Sequence, residues 1–342
     1  MKAVTICALA LGVLSRIAVH AEIGYQFVTV GNPGNANDTT ESGGPGLFFG
    51  MVSYVYEIGT YDVTLTQYTT FLNAVANSDP YGLYNANMGT DLHVAGISRS
   101  GSSSYAYSVI GDGNRPVAYI TWLDAARFAN WMQHGQPTGL GEVAASTEQG
   151  AYTLNGDTSN GLETKNANAT YWIPSENEWY KAAYYDPTLN GGAGGYWSYA
   201  TQSNTAPGNN ASNPTAANQA NYVKLSNGFY SVTQSSSYNS SQNYLTDVGL
   251  FSNSASYYGT YDQDGDLNQW NDAVIGSSRG LRGGGWGEYP IDTSSASRDY
   301  PPTNENSFNG FRIATVPEPS VAVSVFLAGG LMLARRKRVS AL

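Results

Sequence analysis

Apolar residues recur at helical spacing in three stretches of the chain, and each stretch opens on a residue suited to cap a helix. In Thr64-Leu65-Thr66-Gln67, a hydroxyl and an amide stand three positions apart in capping-box register, and Tyr68, Phe71, Leu72 and Val75 follow on one face. Asp79-Pro80 is expected to end this helix. The run Pro116 to Asp124 predicts a short strand whose Thr121 caps a helix carrying Ala125, Phe128, Ala129 and Met132, with Gly135 closing it. In Tyr171 to Trp179, Ser175 and Glu178 repeat the capping-box register, and Glu176 and Glu178 favour the positive end of a helix. Those two carboxylates also invite an acid/base reading, although side chains two apart on a helix point to different sides.

The two ends have a different pattern. Lys2, the apolar run Ala3 to Leu14 and Val19-His20-Ala21 read as a secretory signal peptide over 1–21, cut before Glu22 by signal peptidase. At the other end, Val316-Pro317-Glu318-Pro319 precedes the apolar run Val321 to Ala334 and then Arg335-Arg336-Lys337-Arg338. As a helix, Pro319 to Ala334 reaches about 24 Å at ~1.5 Å per residue. That is short of a ~30 Å hydrocarbon core, so it would span only under strain, while the basic cluster fixes the cytoplasmic side. The segment 316–342 resembles the PEP-CTERM sorting signal, which exosortases process in Gram-negative bacteria that make exopolysaccharide.

No period of 20 to 50 residues recurs, so the body, 22–315, reads as one domain. Ser/Asn/Gly/Thr-rich stretches from Glu142 to Thr170 and from Asn190 to Asn243 predict surface insertions. Ten basic residues face twenty-five acidic ones in the body, about −15, and such a surface repels phosphate backbones. Nucleic acid is excluded as a partner. Charged residues make up 12% of the chain, beside 26 Tyr, 10 Phe and 7 Trp, which fits an exported, folded protein with a neutral, polar surface.

Cys7 lies in the leader, so the body has no thiol, and its two histidines, His93 and His134, have no supporting motif and read as surface residues. No Gly-x-Ser-x-Gly elbow occurs, and the run Gly283 to Gly285 continues into Trp286, not the Lys of a phosphate loop.

The three helix starts, followed by Arg282-Gly283-Gly284-Gly285-Trp286 and Asn309-Gly310-Phe311-Arg312, resemble the formylglycine-generating-enzyme family, also called sulfatase-modifying factors, from about Tyr25 to Thr315. The resemblance implies an α+β fold, a variant of the C-type lectin fold with short strands and many ordered loops. It aligns Tyr261 to Trp270 with a family block that holds a structural calcium. The implied ligands are Asp262, the carbonyls of Gly265 and Leu267, and Gln269, where the family has Glu. An amide weakens such a site, and Asp264 and Asp266 could restore charge; an acidic turn closed by its own Asp side chains is the alternative. A second family calcium site begins at an Ala-Asn pair that Ala220-Asn221 could match.

In the oxidising members, two cysteines shortly after the Gly-rich block bind copper, whereas here Gly284 to Thr293 contains no sulfur. No copper is expected, because copper(I) selects soft thiolates. The resemblance places the segment from Arg279 through Arg312 on the substrate face. Trp270, Arg282, Trp286, Glu288, Tyr289 and Arg298, with Tyr300 beside them, become the candidate ligand-binding residues, since aromatic rings flanked by polar groups suit sugars. Burial of both tryptophans in the core is the alternative.

Three functions stay open: a non-catalytic, surface-displayed module that binds carbohydrate or peptide; an enzyme with thiol-independent chemistry using Glu288, Asp292 or Arg298; and a matrix protein that coats exopolysaccharide. The expected location is the cell envelope, cell surface or extracellular matrix, with the membrane engaged through the tail before processing.

Overall fold

The computed structural model describes residues 23–138, 146–159, 161–300 and 306–317. The expected leader, and the tail from residue 318 onward, lie outside the described residues. Among the described residues, no helix is long and apolar enough to cross a membrane.

The three capping-box sequences start the three longest helices: α1 (Leu65–Val75), α2 (Trp122–Gln133) and α3 (Glu176–Tyr184). In each, the cap hydroxyl accepts from the backbone N–H three residues on, and the side chain there accepts from the cap N–H. Two orphan amides per helix are thereby satisfied within the sequence itself. Helix α1 stops at Val75, before Asp79, whose carboxylate instead accepts from the amides of Leu83 and Tyr84 in the following turn.

Two small sheets frame the helices. The first has the order β1 (Phe27–Val30), β2 (Tyr56–Gly59), β7 (Ala314–Thr315), β3 (Tyr171–Trp172), all antiparallel. It brings the two ends of the described chain together. The second is the hairpin β4 (Asn268–Ile275) and β5 (Ser278–Arg282), with β6 (Asn309–Gly310) parallel to β4. Between them, Phe71 of α1 and Phe128 of α2 meet edge to face at 5.3 Å, and Phe311 packs on Phe128 at 5.2 Å. Such edge-to-face pairs add about 0.5–1.5 kcal/mol beyond the area they bury.

Two expectations change. Pro116 to Ile120 makes only a bridge from Pro116 to Thr64, because Tyr119 takes a positive φ of 61° and sends its N–H to the carbonyl of Asn306. A left-handed residue cannot continue a strand. The polar stretches are also more than surface decoration. Tyr152 and Leu154 are core residues, Arg127 of α2 pairs with Glu148 at 2.7 Å, and Tyr222 is buried within the second stretch.

Candidate functional site

The site begins where β5 runs into the glycine block. Gly283 and Gly284 have φ of 105° and 70°, and a Cβ on Gly284 would lie 2.8 Å from the Thr293 methyl. Only glycine turns this tightly against its neighbour. The turn folds the chain back so that Glu288 Oε2 accepts from the Gly285 N–H at 2.7 Å and from Asn268 Nδ2 at 3.0 Å. Asn268 also fixes the turn itself, its Oδ1 accepting from the Gly284 N–H at 3.1 Å. Burial raises the Glu288 carboxyl above the ordinary glutamate range, against these two donors, and the charges of Asp292 and Asp299 push the same way as burial.

Glu288 opens on a cleft of ≈ 280 Å³ lined also by Asn268, Arg282, Asp292, Ser297, Arg298 and Asp299. One wall is cationic, and a single carboxylate holds both of its arginines. Glu176, the first residue of α3, takes Arg282 at 2.7 Å and Arg298 at 2.5 Å, and both guanidiniums lie over the ring of Phe49, at 4.8 and 5.0 Å. Arg282 also donates to Ser42 Oγ and the Ser297 carbonyl. The acid/base reading of Glu176 with Glu178 does not hold: Glu178 turns the other way, accepting from Tyr54, the Trp172 indole and the Ser175 amide.

Of the six residues expected to hold a ligand, Arg282, Glu288 and Arg298 therefore share one cleft. Trp270 is withdrawn from that role: it is 0% exposed and its indole donates to the Ile120 carbonyl at 2.8 Å. Trp286 is 5% exposed, stacked 4.7 Å from Tyr244 and 5.2 Å from Phe308, and it packs the turn from behind. Tyr289 is 45% exposed but lies outside the cleft lining, as does Tyr300. Asn268, Ser297 and Asp299 were missed. Asn268 sat within the calcium block, and Ser297 and Asp299 flank Arg298 without any motif of their own.

His93 is not a bare surface histidine. Its Nδ1 lies 2.6 Å from Asp91 Oδ1, whose other oxygen accepts from Tyr119 at 2.6 Å, and its Nε2 meets the Tyr238 hydroxyl. His134 Nε2 lies 2.9 Å from the Gln149 carbonyl.

The implied calcium ligands meet a different arrangement. Gln269 is wholly buried, and its Oε1 accepts from the Trp179 indole at 2.7 Å and from Arg312 Nε at 2.6 Å. Its Nε2 donates to Asp62 Oδ2 and to the Asp262 carbonyl. The two donors fix which way the amide faces, so Gln269 turns hydrogens, not an oxygen, toward the acidic side. Arg312 supplies positive charge 3.5 Å from Asp62 and also donates to the carbonyls of Gly59 and Tyr261. The Asp262 carboxylate accepts from the Gly249 N–H at 2.7 Å. Calcium takes six to eight oxygens, and this orientation of Gln269 does not fit the implied set.

Among solved structures, the chain is similar to CarF at 19% identity, covering 86% of this chain and 99% of that one, with a TM-score of 0.49. It is also similar to Treponema denticola variable protein 1 (16% identity, 87% and 98% covered, TM-score 0.48) and to PvdO from Pseudomonas aeruginosa (14% identity, 88% and 98% covered, TM-score 0.46). A search of curated proteins gives no match. The model of the sulfatase-modifying factor enzyme 1-like domain matches residues 51–316, which takes in α1 to α3, every strand of the two sheets except β1, and the Glu288 cleft, and the chain belongs to that family.

Proposed function

We propose that this protein is an exported, surface-displayed member of the family that binds a polar ligand, carbohydrate or peptide, in the Glu288 cleft without transforming it. The observation that carries the reading is the convergence of Arg282, Glu288 and Arg298 on one cleft in a body without a single thiol. Glu288, Asp292 and Asp299 offer acceptors, while the two arginines are held by Glu176, so the cleft suits hydroxyl and amide donors. Export rests on the leader, and surface sorting on the PEP-CTERM-like tail, which signal peptidase and exosortase would process. In this reading the scaffold is the C-type-lectin-like variant that the family resemblance implies, and an exopolysaccharide or other surface glycan is the natural partner. A glycan and peptide array probed with residues 22–317 tests it: binding lost in Glu288→Gln and Arg298→Ala supports the reading, and a blank array at high protein loading ends it.

One observation favours a second reading, thiol-independent catalysis. Burial lifts the Glu288 carboxyl, and the Asp292 charge on the same cleft pushes it the same way, the direction a general acid requires. Turnover that survives substitution of both residues would remove that reading.

A further inference from the structure

A larger cavity lies elsewhere, between the first residues of the described chain, the first turns of α1 and the loop from Asp247 to Leu250. Its volume is ≈ 640 Å³, within the ~300–1,000 Å³ usual for ligand sites, and it shares no lining residue with the Glu288 cleft. Tyr61, Asp62, Thr66, Thr70, Asn114 and Asp247 line it, with no lysine or arginine among its walls.

The walls are held in place before any ligand arrives. Gly249, at φ 71°, presses so closely on Tyr61 that a Cβ there would lie 2.5 Å from the ring, and its N–H is fixed by Asp262 at 2.7 Å. Val248 donates to the Asn114 carbonyl at 3.1 Å, tying the loop to the opposite wall. The Tyr61 ring is backed by Tyr261 at 5.4 Å, nearly parallel, and is half-buried.

Asp62 gives the cavity its chemistry. The side chain is buried, its Oδ2 takes Gln269 and faces Arg312 at 3.5 Å, and its Oδ1 is buried with no hydrogen-bond partner. A buried acceptor left unpaired is destabilising, so a ligand donor that reaches it from the cavity is favoured. Arg312 answers the charge of Asp62, and Asp247 stands between Asp112 and Arg115, so charges of both signs surround the walls and no lone charge marks the cavity for an ion. What remains is a polar cavity with one aromatic ring face and acceptors in need of donors. Hydroxyls on a ring with C–H faces meet both demands.

We infer that this cavity is a second ligand site, for an uncharged short oligosaccharide, with Tyr61 against the sugar face and Asp62 and Asp247 accepting from its hydroxyls. The test is isothermal titration of residues 22–317 with maltotriose, cellotriose and mannotriose. At least one is expected to bind, with affinity reduced tenfold or more by Tyr61→Ala and by Asp62→Asn, which replaces an acceptor by a donor. Because Asp62 sits beside Arg312 and its loss can unfold the domain, Thr70→Trp on the half-buried face of α1 provides the blocking variant, with its melting temperature as the folding control. A folded T70W that no longer binds supports the site. No binding by any of the three sugars, binding unchanged in T70W, or binding lost in E288Q and kept in T70W would each overturn it.

Discussion

Arg282 Nη2 lies 2.7 Å from Glu176 Oε1, with 0% and 5% of the two side chains exposed, and this pair joins the start of α3 to the end of β5. Breaking a buried pair by removing one partner typically costs about 3–5 kcal/mol, because the remaining charge has no compensation. Glu176→Ala is therefore expected to lower unfolding free energy by that amount in urea titrations, and to release Arg298 as well. Glu176→Ala with stability within 1 kcal/mol of wild type would show that water reaches the pair.

The Gln269 amide predicts the response to calcium. With its oxygen engaged by Trp179 and Arg312, added calcium is expected to shift the melting temperature by no more than about 2 °C relative to a chelator-treated sample, less than the ~2–4 °C that 1 kcal/mol produces in a domain of this size. Gln269→Glu restores the charged oxygen of the family block, and should create calcium-dependent stabilisation. A large shift in the wild type would mean that the amide turns over to present its oxygen.

Stability should fall as pH rises toward neutrality. Burial pushes Asp264 up to about 7, against amides from Ala200 and Thr201, and burial together with the Asp262 charge pushes Asp266 up to about 7. Raised carboxylates bind protons in the folded state that the unfolded chain, titrating near ~3.9, has already lost. The stability they contribute is full below pH ~4 and is lost as pH climbs through about 7. In chelator, the melting temperature is expected to be higher at pH 5 than at pH 8, and Asp264→Asn should gain stability at pH 8 only. An identical pH profile for the variant would refute the assignment to Asp264.

Gly284→Ala should damage the cleft more than the fold. The substitution forces a left-handed backbone on alanine and drives a methyl against Thr293, a strain of about 1–3 kcal/mol. Since the neighbouring Gly285 amide positions Glu288, ligand binding should weaken beyond what the lost stability explains. Array binding and melting temperature measured on the same preparation separate the two effects.

The helices were legible because their signals are local. Thr64, Thr121 and Ser175 each find their capping partner three residues away, so no distant contact is needed to specify the start. The strand expected over Pro116 to Ile120 failed for the opposite reason. Tyr119 is held at positive φ by its N–H bond to Asn306 and its hydroxyl bond to Asp91, partners far away in the chain. Burial of Trp270 was one of two readings the sequence left open, and the engagement of His93 by Asp91 and Tyr238 was not legible at all, since residue type alone does not say which side of a short strand or loop faces the core.

By itself, the sequence determined the helix starts, the absence of thiols from the body, the acidic balance and the glycine-rich turn that marks the family, all of which are set by neighbours in the chain or by composition. Only the tertiary structure decided that Glu176 bridges two arginines over a hundred residues away, that Gln269 offers hydrogens toward Asp62, and that Asp62 keeps one oxygen free beside a cavity. Those facts depend on which desolvated charges and amides end up adjacent, and in a chain of short strands and long loops that is fixed by packing, not by spacing.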